Sequence, residues 1–197
     1  MKEYKLPIGC DVPETIILAD GDFPSHSLAL EWLRQCPYVV CCDGAANTYI
    51  RSGRMPEAIV GDGDSLLPDI KERYASLIHS EAEQETNDLS KAFRFCLSQE
   101  RKRITIMGAT GKREDHTIGN VSLLADYMEQ AEVSMMTDYG IFVPIREDSM
   151  FESYIGQQIS VFNMNSTALS AEGLAYPLSV FTNWWQGTLN EALARHF

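Results

Sequence analysis

No stretch of this 197-residue chain approaches the ~18 uninterrupted apolar residues of a membrane-spanning helix, so none is expected. Met1 to Asp11 carries two lysines but no apolar core, so a secretory leader is not expected either. The five cysteines (Cys10, Cys36, Cys41, Cys42, Cys96) are odd in number and form no C-x-x-C pair. Reduced, mostly buried thiols in a cytoplasmic protein are the reading, which leaves the N-x-S/T matches at Asn120 and Asn165 without weight. Basic residues are scarce: 16 Lys+Arg stand against 28 Asp+Glu, a formal net charge of −12. Nucleic acids and anionic membranes need clustered cations, so both are excluded as partners. Internal repeats and low-complexity tracts are missing too.

What remains is an ordinary globular composition, 45% apolar and 22% charged, long enough for one large domain or two small ones. The first two thirds alternate short apolar runs with helical patterns. Thr15–Ala19, Tyr38–Cys42, Ala58–Val60, Leu77–His79 and Arg103–Met107 read as strands. Helices are predicted over Ser27–Gln35, with Ser25 or Ser27 as cap, Ala45–Ser52, Pro68–Ala75, Asp88–Glu100 behind the cap Asn87, and His116–Glu129. This rhythm predicts an α/β domain over residues 1–131, a mostly parallel, Rossmann-like sheet with flanking helices. From Glu132 short alternating runs dominate, with one further helical stretch at Leu189–Ala194. A small all-β, sandwich-like domain is predicted over 132–197.

Three predicted strands end in Gly/Asp-rich loops: Asp43-Gly44-Ala45-Ala46-Asn47, Gly61-Asp62-Gly63-Asp64-Ser65, and Gly108 to His116 (GATGKREDH). Loops after parallel strands gather along one sheet edge, where ligands bind, so Asp43, Asp62, Asp64 and Asp115 are placed on a common rim. Gln84-Glu85-Thr86-Asn87-Asp88 adds Glu85 and Asp88. Carboxylates gathered this way repel unless a cation joins them, and all-oxygen ligands suit Mg²⁺. An EF-hand fails because Leu66-Leu67-Pro68 follows Asp64, and G-x-x-G-K-R is too short for a P-loop. The turn Asp20 to Pro24 is read only as a turn. Lys91 and Arg94 are placed on the solvated face of their helix, and Trp184 and Trp185 in a core or interface.

The ordered set DGAAN, GDGDS, QETND and GATGKREDH resembles the thiamine pyrophosphokinase (thiamine diphosphokinase) family, whose pattern runs D-G-[GA]-A-N, G-D-x-D-S, a Q-D-x-T-D-like segment and G-x-x-G-x-R-x-D-H. The resemblance spans about Asp20 to Glu191. It implies an α/β nucleotide-binding domain followed by a β-sandwich, a homodimer with thiamine at the subunit interface, and Mg²⁺-dependent transfer of the pyrophosphoryl group of ATP to thiamine. It implies Asp62, Asp64 and Asp88 as metal-holding carboxylates, with Asp115 completing the catalytic set. Asp43, Gly44, Ala45, Asn47, Ser65, Gly111 and Arg113 would lie against ATP. Gln84, Asp115, His116, Tyr176, Thr188 and Asn190 would face thiamine, Asp115 or His116 assisting proton removal.

The chain departs from the pattern at several positions. Gly63 replaces a larger apolar residue and should loosen its loop. Glu85 and Asn87 stand where Asp and Thr are common, Tyr176 where a Trp is common, and Leu189 where G-T-S-N has Ser. Relatives continue past the position of Phe197, so a short or truncated β domain is expected. Two other readings share the carboxylate rim: a metal-dependent nucleotide phosphohydrolase, and a non-catalytic thiamine- or nucleotide-binding module.

Overall fold

The computed structural model describes residues 1–9, 11–81, 85–178 and 187–197. The chain divides into two units. The smaller comprises Met1–Pro7, carrying strand β1 (Lys2–Tyr4), together with Ile145–Phe197; the larger is Ile8–Pro144.

The larger unit runs β2 (Thr15–Leu18), α1 (Ser27–Gln35), β3 (Val39–Cys42), α2 (Ala45–Arg51), β4 (Ala58–Val60), α3 (Pro68–Arg73), β5 (Ile78–His79), α4 (Asp88–Ser98), β6 (Arg103–Met107), α5 (Glu114–Ser122), α6 (Leu124–Tyr127), β7 (Glu132–Met136) and β8 (Ile141–Phe142). These strands form one seven-stranded sheet in the order β5-β4-β3-β2-β6-β7-β8, parallel except for the antiparallel edge strand β8. TIIL, VVCC and AIV are buried at every position, the continuous apolar run of a parallel strand covered on both faces. Successive side chains point to opposite faces. Ile17, Val40 and Ile106 pack with Leu89 and Phe93 of α4, whereas Ile16, Leu18 and Ile59 pack with Trp32 and Leu33 of α1 and Tyr49 of α2. Each such side chain, fully buried, stabilises the fold by about 1.5–3 kcal/mol.

Four details differ from the sequence reading. A break after residue 131 falls inside this unit: β7 pairs with β6 along five positions, and the Thr105 and Ser134 hydroxyls meet at 3.1 Å. The β7–β8 turn has no helix, which is why the stretch resembled the start of an all-β domain. Helix α1 is capped by His26 rather than by either serine, Leu28 N–H donating to His26 Nδ1 at 3.3 Å. The long helix expected from His116 starts earlier and is split at Leu123, where the Ser122 hydroxyl donates to the Gly119 carbonyl at 2.7 Å. Finally, Leu189–Ala194 is not helical.

That last stretch lies in the smaller unit. Here β9 (Ser149–Phe151) pairs in parallel with β1, and β10 (Gln158–Val161) pairs antiparallel with β11 (Gly187–Glu191). Strand β11 therefore claims Leu189–Glu191 of the stretch read as helix, and Leu189 turns outward at φ +60. Leu174 adds an isolated antiparallel bridge to Ala192. Among the described residues no helix is long and apolar enough to cross a membrane. Cys36, Cys41, Cys42 and Cys96 are free thiols, the last three buried; burial raises Cys96 to about 12.

The order of strands positions the site. The chain leaves β2 towards β3 on one side and later enters β6 on the other, so the topological switch point lies between β2 and β6. The loops leaving these two strands are stitched together, Gly21 N–H donating to the Gly108 carbonyl at 2.6 Å and Asp22 N–H to the Thr110 carbonyl at 2.8 Å.

Candidate active site

Asp43 follows β3 directly and takes φ +34, in the left-handed region that Asp and Asn tolerate best after glycine. It is buried. Its Oδ2 accepts the Ser65 N–H at 3.0 Å, while Oδ1 is buried with no hydrogen-bond partner among the described residues. Desolvation outweighs the Ser65 hydrogen bond and pushes this carboxyl up to about 6.

The loop after β4 brings two more carboxylates. Asp64 N–H donates to Asp62 Oδ1 at 3.2 Å, and the Ser65 hydroxyl to Asp64 Oδ1 at 3.0 Å. Asp64 is held below the ordinary carboxylate value, first by the Ser65 hydroxyl and then by the adjoining Asp43 and Asp62 carboxyls. One oxygen from each of Asp43, Asp62 and Asp64 lies within 4.8 Å of the other two, a spacing that could hold a metal ion. Asp88 opens α4 on the other side of Gly61. A Cβ at Gly61 would lie 2.8 Å from Asp43 Cβ and 3.3 Å from Asp88 Cγ, and its φ is +153, so glycine is required there. Thus Asp43, expected against ATP, joins the expected metal carboxylates Asp62 and Asp64.

The loop is fastened rather than loose. Asn47 donates to the Ser65 carbonyl at 2.8 Å and accepts the Leu67 N–H at 3.0 Å, which engages both ends of its amide in shaping the loop. Gly63 takes φ +74, and its carbonyl accepts Lys71 Nζ at 2.7 Å. A larger residue at 63 would strain this turn, so glycine here sets the turn's shape.

A cavity of about 170 Å³ opens beside this cluster at the switch point, lined by Asp20, Asp22, Phe23, Ala45, Thr48 and Lys112. Lys112 pairs with Asp20 at 3.1 Å. Gly44 lies between cavity and loop: a Cβ there would be 2.7 Å from Asp20 Oδ2 and 3.1 Å from Ser65 Cβ. Gly111 (φ +92) leaves room for the Asp22 carboxyl, which a Cβ would meet at 2.2 Å. Asp20 and Asp22 were readable only as a turn, although Asp-Gly after a buried strand is the signal that marked the other loops.

Arg113 and Asp115 form an exposed bidentate pair at the start of α5, with Nε 3.0 Å and Nη2 2.5 Å from the carboxylate oxygens. Hydrogen bonding by Arg113 holds Asp115 below the ordinary carboxylate value. His116 is exposed in the same turn. Two further residues escaped the sequence reading. Asn120 joins two site segments, accepting from Asn87 Nδ2 at 3.1 Å and donating to the Ala109 carbonyl at 2.8 Å. Lys91, expected in solvent, is buried, its Nζ 3.0 Å from Asp88 Oδ1.

In the smaller unit Tyr176 is 66% exposed. The buried Asn190 clamps its backbone, accepting Tyr176 N–H at 3.0 Å and donating to Tyr176 O at 2.7 Å. Asn190 thus shapes the segment that presents Tyr176. Thr188 is half-buried on β11. Gln84, Trp184 and Trp185 lie outside the described residues.

An open, mostly parallel sheet with carboxylate-bearing loops and a cavity at its switch point defines an α/β protein of the class that binds ligands at the carboxyl edge of its strands. Sequence comparison narrows this. A family model for the thiamin pyrophosphokinase catalytic domain matches residues 29–136, and one for the thiamin pyrophosphokinase substrate-binding domain matches 140–197; the chain belongs to this family. It is 30% identical to rice thiamine pyrophosphokinase 1 over 129 residues, 53% of this chain and 49% of the relative. Over 86 residues it is 34% identical to thiamine pyrophosphokinase of Bacillus subtilis, covering 42% and 40%. The chain spans about half the length, or less, of these curated relatives. The fold is shared with yeast thiamin pyrophosphokinase (TM-score 0.77, 16% identity, 99% of this chain and 86% of that one) and with the Candida albicans protein (TM-score 0.73, 18% identity, 99% and 87%).

Proposed function

We propose that this chain catalyses Mg²⁺-dependent transfer of the pyrophosphoryl group of ATP to the hydroxyl of thiamine, giving thiamine diphosphate and AMP. The observation that carries this reading is the buried Oδ1 of Asp43, without a hydrogen-bond partner among the described residues, beside Asp62 and Asp64 within the stretch matched by the catalytic-domain model. A buried acceptor without a donor is costly, and a hard cation among oxygen ligands satisfies it. Asp43, Asp62 and Asp64 would hold Mg²⁺, with Asp88 beside them across Gly61. The ion, when bound, supplies charge neutralisation at the phosphate oxygens.

The remaining work is positioning. The 170 Å³ cavity at the switch point takes part of the nucleotide, and Lys112 at its wall offers a cation to a phosphate oxygen on leaving Asp20. Arg113 contributes a second cation and keeps Asp115 ionised. Asp115 is then a weak base, suited to orienting the thiamine hydroxyl and accepting its proton only as the new P–O bond forms. Tyr176, presented by Asn190, stacks on a thiamine ring in a homodimer whose thiamine site lies at the subunit interface. The free, buried cysteines suit a reducing compartment such as the cytoplasm.

Incubation with thiamine, ATP and MgCl2 tests the reading. Equimolar AMP and thiamine diphosphate are expected. Formation of ADP with thiamine monophosphate, nucleotide turnover indifferent to thiamine, or binding without product would each refute it, the last two in favour of a phosphohydrolase or a binding module.

A further inference from the structure

Lys91 lies one helical turn beyond Asp88 on α4, in a stretch where Leu89, Ala92, Phe93 and Cys96 are all buried. Its side chain is 5% exposed. An ammonium withdrawn from water is strongly unfavourable unless it is paired, and replacing such a pair with apolar residues is often neutral or stabilising for a fold. The helix would therefore pack at least as well with Leu or Met at 91. The charge needs another reason, and its surroundings supply one. Lys91 Nζ contacts Asp88 Oδ1 at 3.0 Å. The Asp88 and Asp43 carboxyl carbons lie 3.3 and 3.4 Å from the one point that a Gly61 Cβ would occupy, and Asp43 in turn lies within the 4.8 Å cluster with Asp62 and Asp64. Four acidic groups thus adjoin one another, one of them with a buried oxygen that no described residue satisfies.

We propose that Lys91 is a positioning residue of the carboxylate rim, a fixed counter-charge that fixes one oxygen of Asp88 and keeps the four acidic groups assembled when no divalent ion is bound. This rests on the Mg²⁺-dependent reading above. The proposal has a consequence that simple packing does not. The ammonium and a divalent cation answer the same negative field, so removing the first makes the fold depend more on the second and strengthens the second's binding. One unit charge near a divalent ion at high effective dielectric alters its affinity by about tenfold.

The test uses the full chain without ATP or thiamine. Thermal unfolding of the parent, Lys91→Met and Lys91→Gln is followed in EDTA and across a MgCl2 titration. Both variants are expected to melt several degrees below the parent in EDTA, to recover most of that difference at saturating Mg²⁺, and to reach half-saturation at about tenfold lower Mg²⁺. An equal loss in EDTA and in Mg²⁺ would identify a packing role and overturn the proposal. So would parent-like behaviour of Lys91→Gln, which keeps a donor and removes the charge, or a parent with no Mg²⁺-dependent shift. A parent that shows the shift but forms no thiamine-dependent AMP would sink the proposed reaction while leaving the role of Lys91 intact.

Discussion

Asp43 concentrates the conflict between fold and function in one side chain. Its folded-state value of about 6 lies above that of an ordinary carboxylate, because burial disfavours the charge. Such a group is neutral in both states at low pH and so has no effect there. As pH rises from the ordinary carboxylate value to about 6 it ionises in the unfolded chain first, and the metal-free fold loses stability over that window. Asp43→Asn tolerates the same left-handed backbone and can donate an amide N–H to the adjoining carboxylates. In EDTA at neutral pH it is expected to melt above the parent, to lose that pH-dependent decline, and to lose most Mg²⁺ stabilisation. AMP formation should fall about a hundredfold or more. Melting below the parent in EDTA would show that Asp43 supports the fold outright. The aspartates of this rim were legible in the sequence because Asp-Gly after a buried strand places a carboxylate at the sheet edge. Lys91 was not: the α4 pattern marks its apolar face, and nothing in it says that the neighbouring face meets the site rather than water.

Elements were legible where their determinants are local. Continuous β-rich runs identify covered parallel strands, and Asn87 caps α4 as read, its Oδ1 accepting Ser90 N–H at 2.9 Å. Helix α1 shows the limit. Asp138, more than a hundred residues away in the turn after β7, fastens the two residues that lead into the helix: Ser25 N–H and His26 N–H both donate to its carboxylate at 2.9 Å, and the Ser25 hydroxyl joins them. No spacing rule reaches that far. Strand β7 shows the same limit at shorter range, since its partner β6 is found only by crossing α5 and α6. Hydrogen bonds from Ser25 and His26 hold Asp138 below the ordinary carboxylate value. For a lowered carboxyl the contribution is complete above the ordinary value and is lost as pH falls through the lowered one. Asp138→Ala is therefore expected to lower stability by about 1 kcal/mol at neutral pH, the typical net size of a lost hydrogen bond. In urea titrations the deficit should shrink below the ordinary carboxylate range. A deficit constant with pH would assign the effect to packing rather than to the charged hydrogen bonds.

At the scale of the whole chain, the first seven residues belong with the last fifty-three, and the α/β unit is inserted between them. Sequence proximity hides this, because KEY is too short a strand to announce a partner at Ser149–Phe151. Three rings join the ends: Tyr4 stacks on Phe151 with centroids 4.6 Å apart, and Phe151 on Phe197 at 5.2 Å. Reciprocal backbone bonds between Phe151 and Phe197, at 2.8 and 3.1 Å, and the Glu152 N–H bond to the Tyr4 carbonyl at 2.8 Å complete the closure. An aromatic pair contributes about 0.5–1.5 kcal/mol beyond the area it buries, a large share of the stability of so small a unit. Tyr4→Ala should therefore speed amide hydrogen exchange at Phe151, Glu152 and Phe197 by about tenfold or more, while the amides of β2, β3 and β6 keep their protection. Equal acceleration in both sets would show that the ring stack supports the α/β sheet as well. Tyr176 and Asn190 lie in the loosened unit, whereas the carboxylates and the cavity lie in the other. On the proposed reaction, the variant should then raise KM for thiamine and leave KM for ATP unchanged, since only the segment that presents Tyr176 has lost its support.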